Sequence, residues 1–340
     1  ICMSGAECPL SRNSDEDHDL ATPLKVLDAL CRAAKAQSWW TGRSSRAASC
    51  IRSLRRGLKD LDFKGQTNRD FTRSVLNEKN SISINKNANF FVGWVICASV
   101  IPIPDTASAV IWRFWAELIP LLSIIVLTLI FLLIDKRKTQ LHLTGRPVYN
   151  IILGCVTGSV WIGISVGILS IIGVVHIDGR NQISMLWLWM VSAFLNTVMQ
   201  EMLVRGYLYQ MLKSNYNAVA AVIVSTGLFT FAHGGAFEAG ILPVLNVITM
   251  SLFVTAVLEY TDSLIAPIVI HFLWNGVGAI ILGGVSLAED YPHLFNMVIS
   301  GNPILSGGSC KIEGSIIVLL MNLILMIGFI IAKKEKNRNL

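Results

Sequence analysis

The chain has 340 residues, of which 53% are hydrophobic and only 15% are charged, and its mean hydropathy is +0.58. A soluble domain carries about 25% charged residues, and a larger core cannot absorb the excess because single cores stop growing at about 250–300 residues. The composition therefore excludes an ordinary soluble protein and predicts apolar surface facing lipid. The formal net charge of +6 is interpreted as basic residues on cytoplasmic loops, with no nucleic acid as partner.

Residues 1–88 form a polar N-terminal region in which no stretch reaches the roughly 20 apolar residues that cross a bilayer. Between Asp28 and Asp60 this region is rich in Lys and Arg and has no acidic residue. We interpret it as a disordered or cytoplasmic region. A polybasic segment attracted to anionic lipid and a targeting peptide are the alternatives.

Residues 89–333 are predicted to form one membrane domain, followed by a basic C-terminal tail at residues 334–340. Long apolar runs alternate here with short polar breaks, and the predicted spans are 90–110, 116–134, 148–174, 183–212, 217–233, 241–260, 263–282 and 314–332. Such runs predict helices, because only helices and closed barrels satisfy their backbone in lipid, and the alternating pattern of a barrel is not seen. The predicted fold class is all-α, a polytopic membrane bundle of about eight transmembrane helices.

Basic clusters indicate how the bundle is oriented in the membrane. They follow the second span, end the fourth and follow the last: Lys136, Arg137 and Lys138; Arg205 and Lys213; Lys333, Lys334, Lys336 and Arg338. With eight spans, all of them lie on the side of the basic N-terminal region. Because Lys and Arg accumulate on the cytoplasmic side, both termini are predicted to be cytoplasmic, and the long loop near residues 282–313 external.

Ionisable residues inside apolar spans are functional candidates, because hydrocarbon penalises them by a few kcal/mol each. Gln200, Glu201 and Arg205 end the fourth span. Glu201 and Arg205 are four residues apart and can pair on one helical face, whereas Gln200 points about 100° away. A salt bridge at a helix end near the headgroups is the alternative interpretation.

Two further helices carry histidines. His233 ends the fifth span, one turn after Phe229, and His271 and Asn275 lie one turn apart in the seventh. The Asn275 amide could hold His271, or both could bind one reacting group. The structural alternatives are an interfacial histidine at 233 and a packing pair in the seventh span. Two imidazoles and a carboxylate suit a metal such as zinc or an acid/base pair that activates water.

In chain order these motifs resemble those of the CPBP family, the CAAX proteases and bacteriocin-processing enzymes also called Abi proteins, which includes the type II CAAX prenyl endopeptidases. The family's Glu-Glu-x-x-x-Arg, Phe-x-x-x-His and His-x-x-x-Asn motifs read here as Gln200-Glu201-x-x-x-Arg205, Phe229-x-x-x-His233 and His271-x-x-x-Asn275. The resemblance covers roughly residues 90–332. It implies an eight-helix membrane core and an intramembrane endopeptidase.

The resemblance also implies roles for the matched residues. The family's general base lies at Gln200, followed by Glu201 and Arg205. His233, His271 and Asn275 are implied to polarise the scissile carbonyl and to stabilise the oxyanion. Names in the family often say metalloprotease, while a glutamate-activated water without a tightly held metal is the competing account of its mechanism. A divalent metal such as zinc on His233 and His271 is therefore one expectation, and the metal-free route is the other.

Gln200 departs from the family's pattern, because a carboxamide cannot accept a proton as a carboxylate does. General-base assistance is worth about 10²–10⁴-fold in rate, so hydrolysis is expected to be weakened. Glu201 is the alternative base, although it points in a different helical direction. The resemblance therefore supports the fold more firmly than it supports the activity.

The leading hypothesis is an intramembrane endopeptidase that cleaves a membrane-associated peptide or protein by activated-water attack, weakened by Gln200. The alternative is a catalytically inactive relative that acts as a bacteriocin-immunity or membrane scaffold protein. A small transporter is the third hypothesis, disfavoured because no internal repeat is visible. The Asn-, Lys- and Ile-rich composition after residue 77 predicts a bacterial cytoplasmic membrane protein. Its predicted partners are membrane lipid and the substrate.

Overall fold

The computed structural model describes residues 78–135, 139–285 and 291–339, with side chains from residue 89 onward. The predictions for residues 1–77 therefore lie outside the described residues. The described chain is mostly helical. Its elements are α1 (Glu78–Val100), α2 (Ala109–Ile134), α3 (Pro147–Ile171), β1 (Val175–Arg180), α4 (Leu186–Glu201), α5 (Tyr209–Asn215), α6 (Ala218–Ala232), α7 (Gly234–Ala239), α8 (Ile241–Thr261), α9 (Ile265–Leu273), β2 (Phe295–Ile299), α10 (Pro303–Ser306) and α11 (Ile316–Arg338).

Two π-helical segments extend these helices. The first, Met202–Leu208, joins α4 to α5 without a loop, and the backbone bends within it at Gly206. The second, Trp274–Ile281, continues α9. Each segment begins just after a helix that carries predicted site residues. Such wide turns are rare and occur frequently at functional sites.

Four described helices are long and apolar enough to cross a membrane: α2, α3, α8 and α11. Shorter apolar helical stretches cover 89–100, 218–232 and 265–281. At 1.5 Å per residue, the last two fall short of the roughly 30 Å hydrocarbon layer. The prediction of a helical membrane protein is confirmed at this level. The count of eight spans stays a prediction, although a helix occupies each predicted run in the predicted order.

The first helix is displaced from its predicted span. The sequence predicts a span over 90–110, whereas α1 occupies Glu78–Val100. Pro102 and Pro104 explain its end, since proline lacks an amide donor and the residue before it avoids helical geometry.

A small antiparallel sheet joins two loops at one end of the helices. β1 follows α3 and pairs with β2 of the predicted external loop, with Val175 opposite Ile299 and Arg180 opposite Phe295. Asn181 extends this link, donating from Nδ2 to the carbonyl of His293 at 2.9 Å. The long loop is thus tied to the helices through β2.

Close helix packing positions the candidate site residues. α9 packs against α3 and α4, α8 packs against α6 and α11, and α4 packs against α2. At Gly154 of α3, an added Cβ would lie 2.7 Å from Val269 Cβ of α9. Glycines at such crossings allow membrane helices to approach closely. Trp161 of α3 stacks on Trp274 with ring centroids 4.0 Å apart, which fixes α9 and its π-helical extension further.

Candidate active site

Glu201 lies at the centre of the candidate site, where α4 passes into its π-helical segment, and its side chain is completely buried. Its Oε1 accepts a hydrogen bond from Arg205 Nη1 at 2.7 Å. The same oxygen lies 2.8 Å from His271 Nδ1. A carboxylate only accepts hydrogen bonds, so Nδ1 of His271 carries the proton and Nε2 is the basic nitrogen of the ring. Two helices that are distant in sequence thus meet at one carboxylate.

Arg205 is held by α8 as well as by Glu201. Its Nε donates to Thr255 Oγ1 at 3.1 Å, and its Nη2 donates to the carbonyl and to Oγ of Ser251, both at 3.0 Å. The guanidinium also lies over the ring of Phe229, 4.9 Å from its centroid. A fully buried cation requires such partners, so these contacts fix the carboxylate of Glu201 through its counter-ion.

The second oxygen of Glu201 is different. Among the residues that the structure describes, Oε2 is buried and has no hydrogen-bond partner. An unpaired buried acceptor is costly and marks a place for water or a functional group. Glu201 therefore presents one oxygen to its protein partners, whereas the other has no partner among the described residues.

His233 joins the same cluster through Phe229. It follows α6, and its Nδ1 lies 2.8 Å from the carbonyl of Phe229. Its ring packs on that of Phe229 with centroids 4.3 Å apart, and Phe229 also meets the His271 ring at 5.7 Å. Both imidazoles therefore contact one aromatic ring. The carbonyl fixes the proton of His233 on Nδ1.

Asn275 lies in the second π-helical segment and is only partly buried. Its Nδ2 donates to Thr197 Oγ1 at 3.3 Å, one turn before Glu201 on α4. The sequence left open whether the Asn275 amide holds His271. In the structure Glu201 holds Nδ1 of His271, and the Asn275 amide is directed to α4.

Gln200 takes part in a separate network that faces α2. Its Nε2 donates to Asn196 Oδ1 at 2.6 Å, and Asn196 Nδ2 donates to Glu117 Oε2 at 2.7 Å. Arg113 pairs with Glu117 Oε1 at 2.7 Å, and the hydroxyl of Tyr291 donates to the same oxygen at 3.3 Å. Burial raises the pKa of the Tyr291 phenol, and the charge of Glu117 adds to this effect, so the phenol remains a donor.

The motif residues thus form one cluster and one separate branch. Glu201, Arg205 and His271 are joined by direct hydrogen bonds, His233 is joined through Phe229, and Asn275 meets the preceding turn of α4. Gln200 is bonded to none of these residues. Its predicted divergence from Glu201 agrees with the networks in which the two side chains lie.

A zinc site needs at least three protein ligands in catalytic examples. Within the described ranges, no group of three or more His, Cys, Asp or Glu side chains is placed to hold a metal ion. His233 and His271 would supply two ligands, and both use Nδ1 for protein contacts. This donor set does not fit a catalytic zinc. The zinc prediction itself stays a prediction.

Sequence reasoning missed the residues that support the motifs. Thr255 and Ser251 of α8 and Thr197 of α4 are small polar residues, which are common at membrane helix contacts and give no distinctive signal. Glu117 did carry a signal: it is an acid in an apolar run, four residues after Arg113. The same spacing had singled out Glu201 and Arg205.

Comparison with known families agrees with the motifs. Residues 182–277 match a family model described as type II CAAX prenyl endopeptidase, Rce1-like. The matched segment contains every motif residue, from Gln200 to Asn275, and the family is one of proteases. Searches of curated proteins and of solved structures found no match. The segment that carries this site, residues 182–277, is therefore similar to the type II CAAX prenyl endopeptidases of the Rce1-like family.

Proposed function

We propose that the protein is an intramembrane endopeptidase that cleaves a membrane-associated peptide or protein by attack of an activated water. The observation that carries this proposal is the hydrogen bond between Glu201 and His271 inside a fully buried cluster. A carboxylate that holds the Nδ1–H of an imidazole leaves Nε2 ready to accept a proton, as in other hydrolytic sites. The pair supplies the basic group that Gln200 cannot.

In the proposed reaction, the water oxygen attacks the carbonyl carbon of the scissile peptide bond. The proton of the water passes to the Glu201–His271 pair and then to the leaving amine nitrogen as the C–N bond breaks. Asn275 is proposed to stabilise the oxyanion, since its Nδ2 has a second hydrogen besides the one that it donates to Thr197. His233 uses its Nδ1–H for the carbonyl of Phe229, so it can donate from Nε2 only as an imidazolium. Arg205 keeps Glu201 ionised and in place.

The test is cleavage of a membrane-associated peptide by the purified protein in liposomes. Glu201→Gln and His271→Ala should each lower the turnover number at least about 100-fold, the lower range of general-base assistance. Asp178→Asn is the matched control, because Asp178 is exposed on β1 and should behave like the wild type. Unchanged turnover in Glu201→Gln would contradict the proposal.

The non-catalytic alternative is favoured by one observation, the amide at position 200. A scaffold or bacteriocin-immunity protein would use the same fold without turnover. Cells that express His233→Ala or His271→Ala distinguish the two functions. Immunity that persists without either imidazole would support the scaffold, whereas its loss together with peptide cleavage would support the protease.

For the membrane topology, we propose eight spans with both termini in the cytoplasm of a bacterial cell. The contacts of Glu259 support a shared side for two of the basic clusters, whereas Lys136, Arg137 and Lys138 lie outside the described residues. This carboxylate binds Lys213 of α5 at 2.5 Å and Lys333 of α11. Three residues later, Asp262 pairs with His142 of the loop after α2 at 3.1 Å. These parts of the chain therefore lie at one end of the bundle.

A further inference from the structure

The hydrogen bonds around Gln200 can run in only one donor-to-acceptor direction, from Gln200 through Asn196 to Glu117. Glu117 is paired with Arg113, and a carboxylate only accepts hydrogen bonds. The Asn196 amide must therefore turn its NH₂ group toward Glu117. Its oxygen then faces position 200 and requires a donor, which Gln200 supplies from Nε2 at 2.6 Å.

The consequence is that one particular atom of Gln200 remains without a partner. Oε1 is buried, and no described residue donates a hydrogen bond to it. A buried acceptor of this kind is usually satisfied by water. Had the amide the opposite orientation, Nε2 would be the unpaired group and would bind acceptors instead.

We propose that Arg113, Glu117 and Asn196 are positioning residues that fix the Gln200 amide with Oε1 as the free acceptor. We call this chain of hydrogen bonds the relay. It stabilises a glutamine at position 200, which can donate to Asn196, and destabilises a glutamate there, which cannot. In the reaction, Oε1 accepts a hydrogen bond from the attacking water and orients it. That last part rests on the proposed function, whereas the orientation of the amide does not.

A count of the hydrogen-bond donors shows why a glutamate at position 200 is disfavoured. In Gln200→Glu, carboxylates flank the Asn196 amide on both sides, and its single NH₂ group can satisfy only one of them. The other carboxylate then faces the amide oxygen of Asn196. In the double variant Glu117→Gln plus Gln200→Glu, the whole relay inverts. The amide introduced at position 117 donates to Asn196 Oδ1, and Asn196 Nδ2 donates to the carboxylate introduced at position 200.

The first experiment is a double-substitution cycle on melting temperature in one detergent. It compares the wild type, Gln200→Glu, Glu117→Gln and the double variant. Gln200→Glu should lower the melting temperature by less when Glu117→Gln is also present, and the difference should be at least about 3 °C. Glu117→Gln also removes the charged partner of Arg113. This effect on melting temperature cancels in the cycle, because both variants that contain Glu117→Gln share it.

Asn196→Ala provides the control background, because it removes the amide that couples the two positions. In that background, the effects of the two substitutions on melting temperature should add. Additive effects with Asn196 intact would overturn the relay, and this result needs no turnover. If Glu117 had only a structural role, Glu117→Gln would not reduce the effect of Gln200→Glu on the melting temperature.

The second experiment measures cleavage in liposomes. Glu117→Gln alone releases the amide, so it should lower kcat at least about threefold with KM unchanged. The double variant should exceed Gln200→Glu in kcat by at least about tenfold, because its carboxylate is held by a donor. Equal kcat in these two variants would overturn the water-orienting role. An inactive wild type would overturn the proposed function, while the melting cycle would still decide the orientation.

Discussion

At the residue scale, two neighbouring side chains serve different partners because a helix turns about 100° per residue. Glu201 faces α9 and binds His271, whereas Gln200 faces α2 and reaches Glu117 through Asn196. The motif's two polar positions are thus divided between two buried networks. Changes at the two positions should have separate and different consequences.

Gln200→Glu is expected to raise the turnover number, because it restores a carboxylate where the family has its general base. General-base assistance is worth about 10²–10⁴-fold in rate. Because the amide oxygen of Asn196 faces the new carboxylate, the turnover number of the single variant should rise by no more than the low end of that range. Single-turnover cleavage in liposomes measures it. Gln200→Ala is the control and should fall below the wild type. Equal rates for Gln200→Glu and the wild type would contradict the general-base role that the family resemblance implies for position 200.

Arg205→Met is expected to lower the free energy of unfolding by about 3–5 kcal/mol, because it leaves the buried carboxylate of Glu201 without its counter-ion. Chemical denaturation in mixed micelles measures the change. Combining it with Glu201→Gln should recover part of the loss, since no buried charge then remains unpaired. Arg338→Met is the control on an exposed tail residue. A double variant as unstable as the sum of the two single changes would contradict the pairing.

At the element scale, α9 is the helix whose placement decides the site, because it carries His271 and leads to Asn275. It is held against α3 at Gly154 and at Gly158, where an added Cβ would lie 2.8 Å from Leu273 Cδ1. The stacked Trp161 and Trp274 rings complete this contact. A small displacement of α9 would move His271 relative to Glu201.

Gly154→Ala should therefore destabilise the protein by about 1–3 kcal/mol, the usual cost of overpacking, and should lower kcat through the shift of His271. The same substitution at Gly163 of α3 is the matched control, since an added Cβ meets nothing within 4 Å there. Thermal unfolding and peptide cleavage measure both effects. Equal behaviour of the two alanine variants would show that the α3–α9 contact is not tight.

At the scale of the whole molecule, the polar contacts at Glu259 and Asp262 and the sheet of β1 and β2 mark different parts of the bundle. With both termini cytoplasmic, a reporter fused after residue 340 should be active inside the cell. A reporter inserted near Asn302, which is exposed at the start of α10, should be active outside. Reporters that register the same side at both positions would refute the proposed topology.

The sequence alone determined the class of molecule and the order of its helices. A charged fraction of 15% forces apolar surface into lipid, and long apolar runs can only become helices there. It also identified the chemically capable groups, because Glu201, His233 and His271 are expensive in hydrocarbon. These inferences need no knowledge of how the helices face one another.

Only the tertiary structure decided which of these groups meet. Hydropathy does not show how a membrane helix is rotated, since lipid and protein core are equally apolar and the run is hydrophobic on every side. The bond between Glu201 and His271, the hold of Thr255 on Arg205 and the link from Gln200 to Glu117 all depend on that rotation. Contacts between helices set it, above all the close approach of α3 and α9.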